Sequence, residues 1–366
     1  MDKVLQKRGN AVRKHFLDNI RWTVVCLAAI YHVCYNYNSS GVIKNVVSQG
    51  IPQMDILLPF VYPWFMALLF LVAGVGANYA LKNRTKKQFI GERARKLLIP
   101  SVGVLFLIGW TMGWVTSQYT GMFGAADTLP IAVRYLIYAF TGIGPLWFLH
   151  ELFLASVVLV IVLSLDKKNV LTRLSECANV WTAFLLLFTV WGASQICNMP
   201  LITVYRGVYI WVFLLGYYVF SNEKLQEDLT KFCYPLLGLF VVTGVIYSYV
   251  NYGMNYADTS NMKTFFTNFY AWLGILTIFS CFKRWFDFSA PLTAYMTKKS
   301  FAIYVLHCPV MTLLVYVLTE YVHFPIIMNY IVTLLGTILI VFLLDAVISR
   351  IPPLRFLIYG QKRKRA

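Results

Sequence analysis

The chain has 366 residues, of which 59% are hydrophobic and 13% charged, and its formal net charge is +17. Soluble domains carry roughly 25% charged residues, so this composition excludes an ordinary soluble enzyme and predicts a membrane protein. The positive excess reads as topology and contact with anionic lipid, not as nucleic-acid binding.

The start, MDKVLQKRGNAVRKHF, is basic and polar. The first apolar run continues as a spanning helix, so no cleavable signal peptide is expected. Ten spans are predicted in chain order, at roughly Trp22–Tyr37, Phe60–Leu81, Leu97–Val115, Leu146–Leu165, Val180–Cys197, Ile202–Phe220, Phe232–Val250, Phe265–Phe282, Ser300–Leu318 and Ile326–Ala346. NMPL, between the fifth and sixth, reads as a tight helical hairpin, and Arg206 sits one turn inside the sixth. The longest outer connection, Thr116–Pro145, is rich in Gly, Thr and Tyr. No extramembrane segment is long enough for a further domain, and no appended soluble enzyme is expected.

The expected fold class is therefore all-α: a polytopic integral membrane protein with about ten transmembrane helices around a central cavity. Residues 1–21 form a basic N-terminus, 22–346 the membrane domain and 347–366 a basic tail. All but four of the 32 Lys and Arg residues (Lys44, Arg134, Arg206 and Lys263) fall on one side of this arrangement. That bias places both termini in the cytoplasm. The seven cysteines are scattered and odd in number, with no CxxC. Neither a disulfide framework nor a metal site is indicated.

Four stretches put polar chemistry into the bundle. In the first, DNIRWTVVCLAAIYHVCYN, eleven steps separate Arg21 from His32. At 1.5 Å and 100° per residue that is about 16 Å along one face of a helix. Arg21 can sit at the surface while His32 sits near the midplane, where an ionisable group points to function. The alternative is a histidine merely bonded to a neighbouring helix. Asp18 is placed i, i+3 to orient Arg21.

The second stretch, KNRTKKQFIGERARKLLIP, brings Arg93, Arg95 and Lys96 to where a helix enters the membrane. Such a cluster can hold phosphates through charge-assisted contacts. It can equally be a positive-inside anchor. AGVGANYA, just before it, supplies small residues for close helix packing. The third, LWFLHELF, carries Trp147, His150 and Glu151 about one turn inside the outer edge. A structural pairing of Glu151 with Arg134 or Arg206 is the plain reading. The fourth, KKSFAIYVLHCPV, sets Ser300 at the cytoplasmic edge, with Tyr304 and His307 deeper on one face. His32 and His307 are approached from the cytoplasm and His150 from outside. That suits a through-membrane cavity better than one metal site.

In order, these segments resemble the acyltransferase-3 family of integral membrane acyltransferases, which modify bacterial cell-surface and periplasmic carbohydrates. LDNIRWTVVCLAAIYH resembles that family's opening, YPWFMALLFLVAGVGANYAL its second span and FIGERARKLLIPS its basic approach to the third. LWFLHELF resembles its fourth span and KSFAIYVLHCPV its Ser-Tyr-His segment. The resemblance covers nearly the whole chain. It departs at Ala73-Gly74, where many members have Ser-Gly, and in lacking the extracellular domain that some members carry.

The resemblance implies transfer of an acyl group, acetyl as the commonest, from cytoplasmic acyl-CoA to a hydroxyl of a carbohydrate at or beyond the bacterial inner membrane. Arg21, Arg93, Arg95 and Lys96 would hold the CoA phosphates. His32 would be the general base, with His307 and Glu151 as further catalytic contributors. Asp18, Trp147, His150, Ser300 and Tyr304 would support them. Acyl-CoA, the carbohydrate acceptor and membrane lipid are the expected partners. A carrier or exporter of a lipid-linked or acylated saccharide fits the same spans on physical grounds, as does a sensory membrane domain. Acyl transfer from labelled acyl-CoA separates them.

Overall fold

The computed structural model describes residues 14–39, 46, 48–119, 128–196, 198–200 and 204–361. The chain folds into helices α1 (His15–Asn36), α2 (Leu57–Leu81), α3 (Lys86–Arg93), α4 (Ile99–Val104), α5 (Trp110–Tyr119), α6 (Ile131–Thr141), α7 (Trp147–Leu165), α8 (Val170–Glu176) and α9 (Val180–Ser194). It continues through α10 (Gly207–Tyr218), α11 (Glu223–Thr230), α12 (Cys233–Val250), α13 (Thr259–Met262), α14 (Phe265–Trp285), α15 (Pro291–Val317), α16 (Ile326–Arg350) and α17 (Pro352–Tyr359). Among the described residues, seven helical stretches are long and apolar enough to cross a membrane. This is a multi-pass membrane protein.

The other three expected spans are helices too, but they fall short of that standard. α1 has 22 residues and carries Asp18, Arg21 and His32 within them. α9 and α10 have 15 and 12 residues. α10 starts only at Gly207 because Val204–Arg206 is strand β2, paired antiparallel with strand β1 (Asn198–Pro200). A short β-hairpin therefore replaces the expected helical hairpin, and Arg206 precedes the helix instead of interrupting it. The expected outer loop holds α6, whose Ile131, Leu136 and Phe140 stay exposed. Lys44 lies outside the described residues.

Two differences bear on the site. α3, α4 and α5 run as one 34-residue helix, Lys86–Tyr119. Thr85 opens it with a capping box to Gln88, which satisfies end donors that the helix itself cannot. Two π turns, Ala94–Leu98 and Leu105–Gly109, interrupt it. Each π turn holds an extra residue and rotates the helix beyond it. α15 begins nine residues before the expected Ser300 and runs unbroken through Pro309 to Val317.

α2 is the central post. Every residue from Trp64 to Val75 is buried, as expected of a helix apolar on all sides. It packs most closely on α10. A Cβ placed on Gly74 would lie 2.0 Å from the Phe213 carbonyl oxygen, and one on Gly216 would lie 2.2 Å from that of Leu71. The AGVGA run thus lets two backbones touch.

α1 packs against α2, α14, α15 and α16. Its first turn has no side-chain cap from Lys14. The cap comes from the far end of α14. Phe16 N–H donates to Asp287 Oδ1 at 3.1 Å, and Asn19 Nδ2 donates to the carbonyls of Phe286 (2.6 Å) and Phe288 (3.0 Å). Lys283 pairs with the second oxygen of Asp287 at 2.9 Å. These contacts fix the height and rotation of α1.

Candidate active site

Two cavities meet inside the bundle. One, of about 300 Å³, has Arg21, Arg93, Ala73 and Ser300 in its wall. The other, of about 290 Å³, has His32, His307, Cys308, Asn36, Trp147 and Tyr209 in its wall. Val25, Leu69 and Tyr304 line both, so one thin partition separates an arginine cavity from a histidine cavity.

Helical periodicity explains how α1 and α15 build this pair. Arg21, Val25, Ala28 and His32 follow one stripe of α1, running from the first cavity into the second. Ser300, Tyr304 and His307 do the same on α15, which packs against α1. Tyr304 is held in place by donating its hydroxyl hydrogen to the Pro145 carbonyl in the turn just before α7.

In the arginine cavity, Arg21 Nη1 meets Asp18 Oδ1 at 2.9 Å, and Nη2 reaches the Val72 carbonyl at 3.4 Å. The Arg21 side chain still keeps 40% of its surface exposed, enough to meet a ligand. Arg93 lies with its guanidinium carbon 5.0 Å from the Phe89 ring centroid, a cation–π support that leaves N–H groups free to donate. Two guanidinium groups over a cavity that is apolar but for Ser300 and Tyr304 make an anion site with an adjoining apolar slot. That is the shape a phosphorylated ligand with a long uncharged arm needs.

In the histidine cavity, the two imidazoles face each other. His307 Nε2 lies 3.3 Å from His32 Nδ1 and 3.3 Å from Cys308 Sγ. His32 Nδ1 lies 2.7 Å from the Ala28 carbonyl oxygen. His307 Nδ1 lies 2.8 Å from the Ile303 and 2.9 Å from the Tyr304 carbonyl oxygen. A carbonyl oxygen can only accept, so each Nδ1 carries the proton. Each Nε2 therefore keeps its lone pair. That of His307 faces the thiol, and that of His32 is the basic atom left to it. Donor atoms of His32, His307 and Cys308 lie within 4.8 Å of one another, a spacing that a soft metal ion could bridge.

The remaining wall is aromatic and uncharged. Tyr31, Tyr35 and Tyr62 line one side, and Tyr31 shares a 2.8 Å hydrogen bond with Tyr256. Trp147 packs on Tyr209 with ring centroids 5.5 Å apart. Among the described residues no Lys, Arg, Asp or Glu lines this cavity.

The structure brings together Arg21, Arg93, Asp18 and Ser300 on one side of the partition, and His32, His307 and Trp147 on the other, with Tyr304 between. Arg95 and Lys96 do not line the arginine cavity. Both lie on the π turn at Ala94–Leu98, and Lys96 pairs with Glu92 at 3.8 Å instead. His150 meets the Ser101 hydroxyl through Nε2 and lines neither cavity. Glu151 is fully buried, also away from both. Of its two expected partners, Arg134 and Arg206, the Arg206 side chain lies outside the described side chains. Reasoning from sequence missed Cys308, Tyr35, Tyr62 and Tyr209. Only Cys308 had a local signal, its place next to His307.

The family described as Acyltransferase domain matches residues 14–346, which include both cavities and both stripes. The chain belongs to the acyltransferase-3 family. It is similar, at 21% identity over 372 residues and 96% of each chain, to the Glucans biosynthesis protein C of Salmonella heidelberg (strain SL476). It has the same similarity to those of Salmonella agona (strain SL483) and Salmonella paratyphi A (strain ATCC 9150 / SARB42). No solved structure matches the chain. As a member of this family it is a membrane acyltransferase.

Proposed function

We propose that this acyltransferase moves an acetyl group from acetyl-CoA to a hydroxyl of a carbohydrate across the partition between its two cavities. The observation that carries this reading is the α1 stripe that sets Arg21 in one cavity and His32 in the other. The CoA phosphates sit on Arg21 and Arg93, and the pantetheine arm follows the apolar slot toward Tyr304. The acceptor enters the histidine cavity from the opposite side, against Trp147, Tyr209 and Tyr62. Aromatic faces beside a few polar groups suit a sugar ring, and the name of the Salmonella relatives points to glucans.

His32 acts as general base through Nε2. It accepts the hydroxyl proton as the acceptor oxygen attacks the thioester carbon, and the proton passes on to the departing thiolate. The Nδ1 hydrogen bond to Ala28 fixes the ring so that Nε2 stays available. The uncharged wall favours an uncharged acyl group. A carboxylate there would be buried with no cation to pair with. The arginine cavity faces the cytoplasm of a bacterial cell, in keeping with the basic asymmetry of the loops and with both termini on that side.

The test is transfer of label from acetyl-CoA to glucose oligosaccharides by the purified full-length protein in lipid nanodiscs. Labelled oligosaccharide supports the reading. CoA binding without acyl transfer to any oligosaccharide tried, and without CoA release, would overturn it.

A further inference from the structure

We propose that Cys308 carries the acyl group covalently between donor and acceptor, so that transfer runs in two steps. This rests on the acyltransferase reading above and adds to it an acyl-enzyme. Cys308 lines the histidine cavity just beyond the Tyr304 partition. Its Sγ lies 3.3 Å from His307 Nε2. That nitrogen is the unprotonated one, because His307 Nδ1 gives its hydrogen to the Ile303 and Tyr304 carbonyls. Two donors face this single lone pair, His32 Nδ1–H and the Cys308 thiol. His32 Nδ1 has a closer partner, Ala28 at 2.7 Å against 3.3 Å. The lone pair is therefore left for the thiol. A thiol on the lone pair of an imidazole, itself oriented by a third group, is the arrangement that activates a sulfur nucleophile.

In the first step, Cys308 Sγ attacks the thioester carbon of acyl-CoA while His307 Nε2 takes the thiol proton. The carbon–sulfur bond to CoA breaks, and the departing thiolate takes that proton and leaves as free CoA. One thioester replaces another, so no oxidant or energy source is needed. In the second step, the acceptor oxygen attacks the Cys308 thioester while His32 Nε2 takes its proton. The new ester forms, the Cys308 thiolate departs, and the proton returns to it. The two imidazoles thus serve different steps, His307 the loading and His32 the unloading. The device suits the partition. CoA enters from one side and leaves by it, and only the acyl group goes past Tyr304.

The experiment uses the full-length protein in nanodiscs with acetyl-CoA labelled in the acetyl group and no acceptor. Wild type is expected to release CoA and retain one acetyl group per chain, removed by neutral hydroxylamine as thioesters are. It should also exchange label between acetyl-CoA and added free CoA. Cys308→Ala should lose protein-bound label and exchange, and its turnover with glucose oligosaccharides should fall at least tenfold while CoA affinity holds. Cys308→Ser controls for the volume of the side chain and should fail the exchange likewise. Wild type that transfers acetyl to acceptor without ever carrying label, or Cys308→Ala with near-normal turnover, would overturn the carrier and leave the acyltransferase reading standing. Wild type that neither binds label nor transfers it to acceptor would remove both.

Discussion

Tyr304 donates its hydroxyl hydrogen to the carbonyl oxygen of Pro145, and the ring so held lines both the arginine and the histidine cavity. The bond ties α15 to the turn Gly144–Leu146 that leads into α7. With Val25 and Leu69 the ring makes up the wall that the two cavities share. Tyr304→Phe keeps the ring and loses the bond, so it should lower stability by about 1 kcal/mol with donor affinity unchanged. Tyr304→Ala should join the cavities and let water reach the thioester. The measurement is CoA release without acceptor. A rate no higher in Tyr304→Ala than in wild type would show that the partition does not guard the donor.

The arginines should separate into two classes. Arg21→Ala and Arg93→Ala each remove a charge-assisted contact of about 1.5–3 kcal/mol. The affinity for CoA should fall roughly 10- to 150-fold in each. Arg95→Ala and Lys96→Ala should change it little, because both lie on the π turn and away from the cavity. Calorimetric titration of CoA into the four variants decides this, and equal losses in all four would mean a diffuse electrostatic attraction.

His32→Ala should lower acyl transfer by roughly 10²- to 10⁴-fold, the usual range for a lost general base, with CoA affinity preserved. His32→Asn keeps a polar side chain without a titrating ring and should be as slow. Single-turnover transfer by folded, CoA-binding protein is the measurement. Near-normal transfer in either variant would shift the role of base to His307.

The cap on α1 predicts a sensitivity to acid. Burial raises the Asp287 carboxyl, but the Lys283 ammonium and the Phe16 N–H outweigh it and hold the group below its ordinary value of 3.8. A depressed folded value stabilises the fold above the unfolded value, and that stabilisation is lost as pH falls through the folded one. Asp287→Asn should therefore lower the melting temperature at pH 7 and flatten its decline below about pH 4. Parallel melting curves for the two proteins from pH 7 to pH 3 would show that the contact contributes nothing.

The α1 and α15 stripes were legible because they lie on uninterrupted helices, where 100° per residue can be counted. Arg21 and His32 share one stripe of α1, and Ser300, Tyr304 and His307 one stripe of α15, as that count has them. Arg95 and Lys96 do not share the cavity with Arg93, because at 100° per residue they point 200° and 300° away from it, and the π turn that begins at Ala94, directly after Arg93, does not bring them back. α10 was read too long, since its first turn is strand instead, and Tyr209 could not be assigned to the cavity before that start was known. Gly144 and Pro145 reach the histidine cavity through tertiary packing alone. The close approach of Gly74 to α10 was readable only as a capacity, because the sequence does not say which helix takes it up. Cys308 was passed over on spacing rules meant for metal sites and disulfides, which do not test for a neighbouring imidazole.

The cap on α1 also sets an order of assembly. Asp287, which accepts from the Phe16 N–H of the first turn, and the carbonyls of Phe286 and Phe288, which accept from the Asn19 side chain, lie some 270 residues downstream. A ribosome delivers the first helix early and its cap near the end of synthesis. Until then α1 lacks the contacts that Asp287, Phe286 and Phe288 give it. The central pair, α2 and α10, depends on no later element for its glycine contact and is able to form first. The cavity wall built by α1 and α15 is complete only when α15, which follows the cap in the chain, has been made.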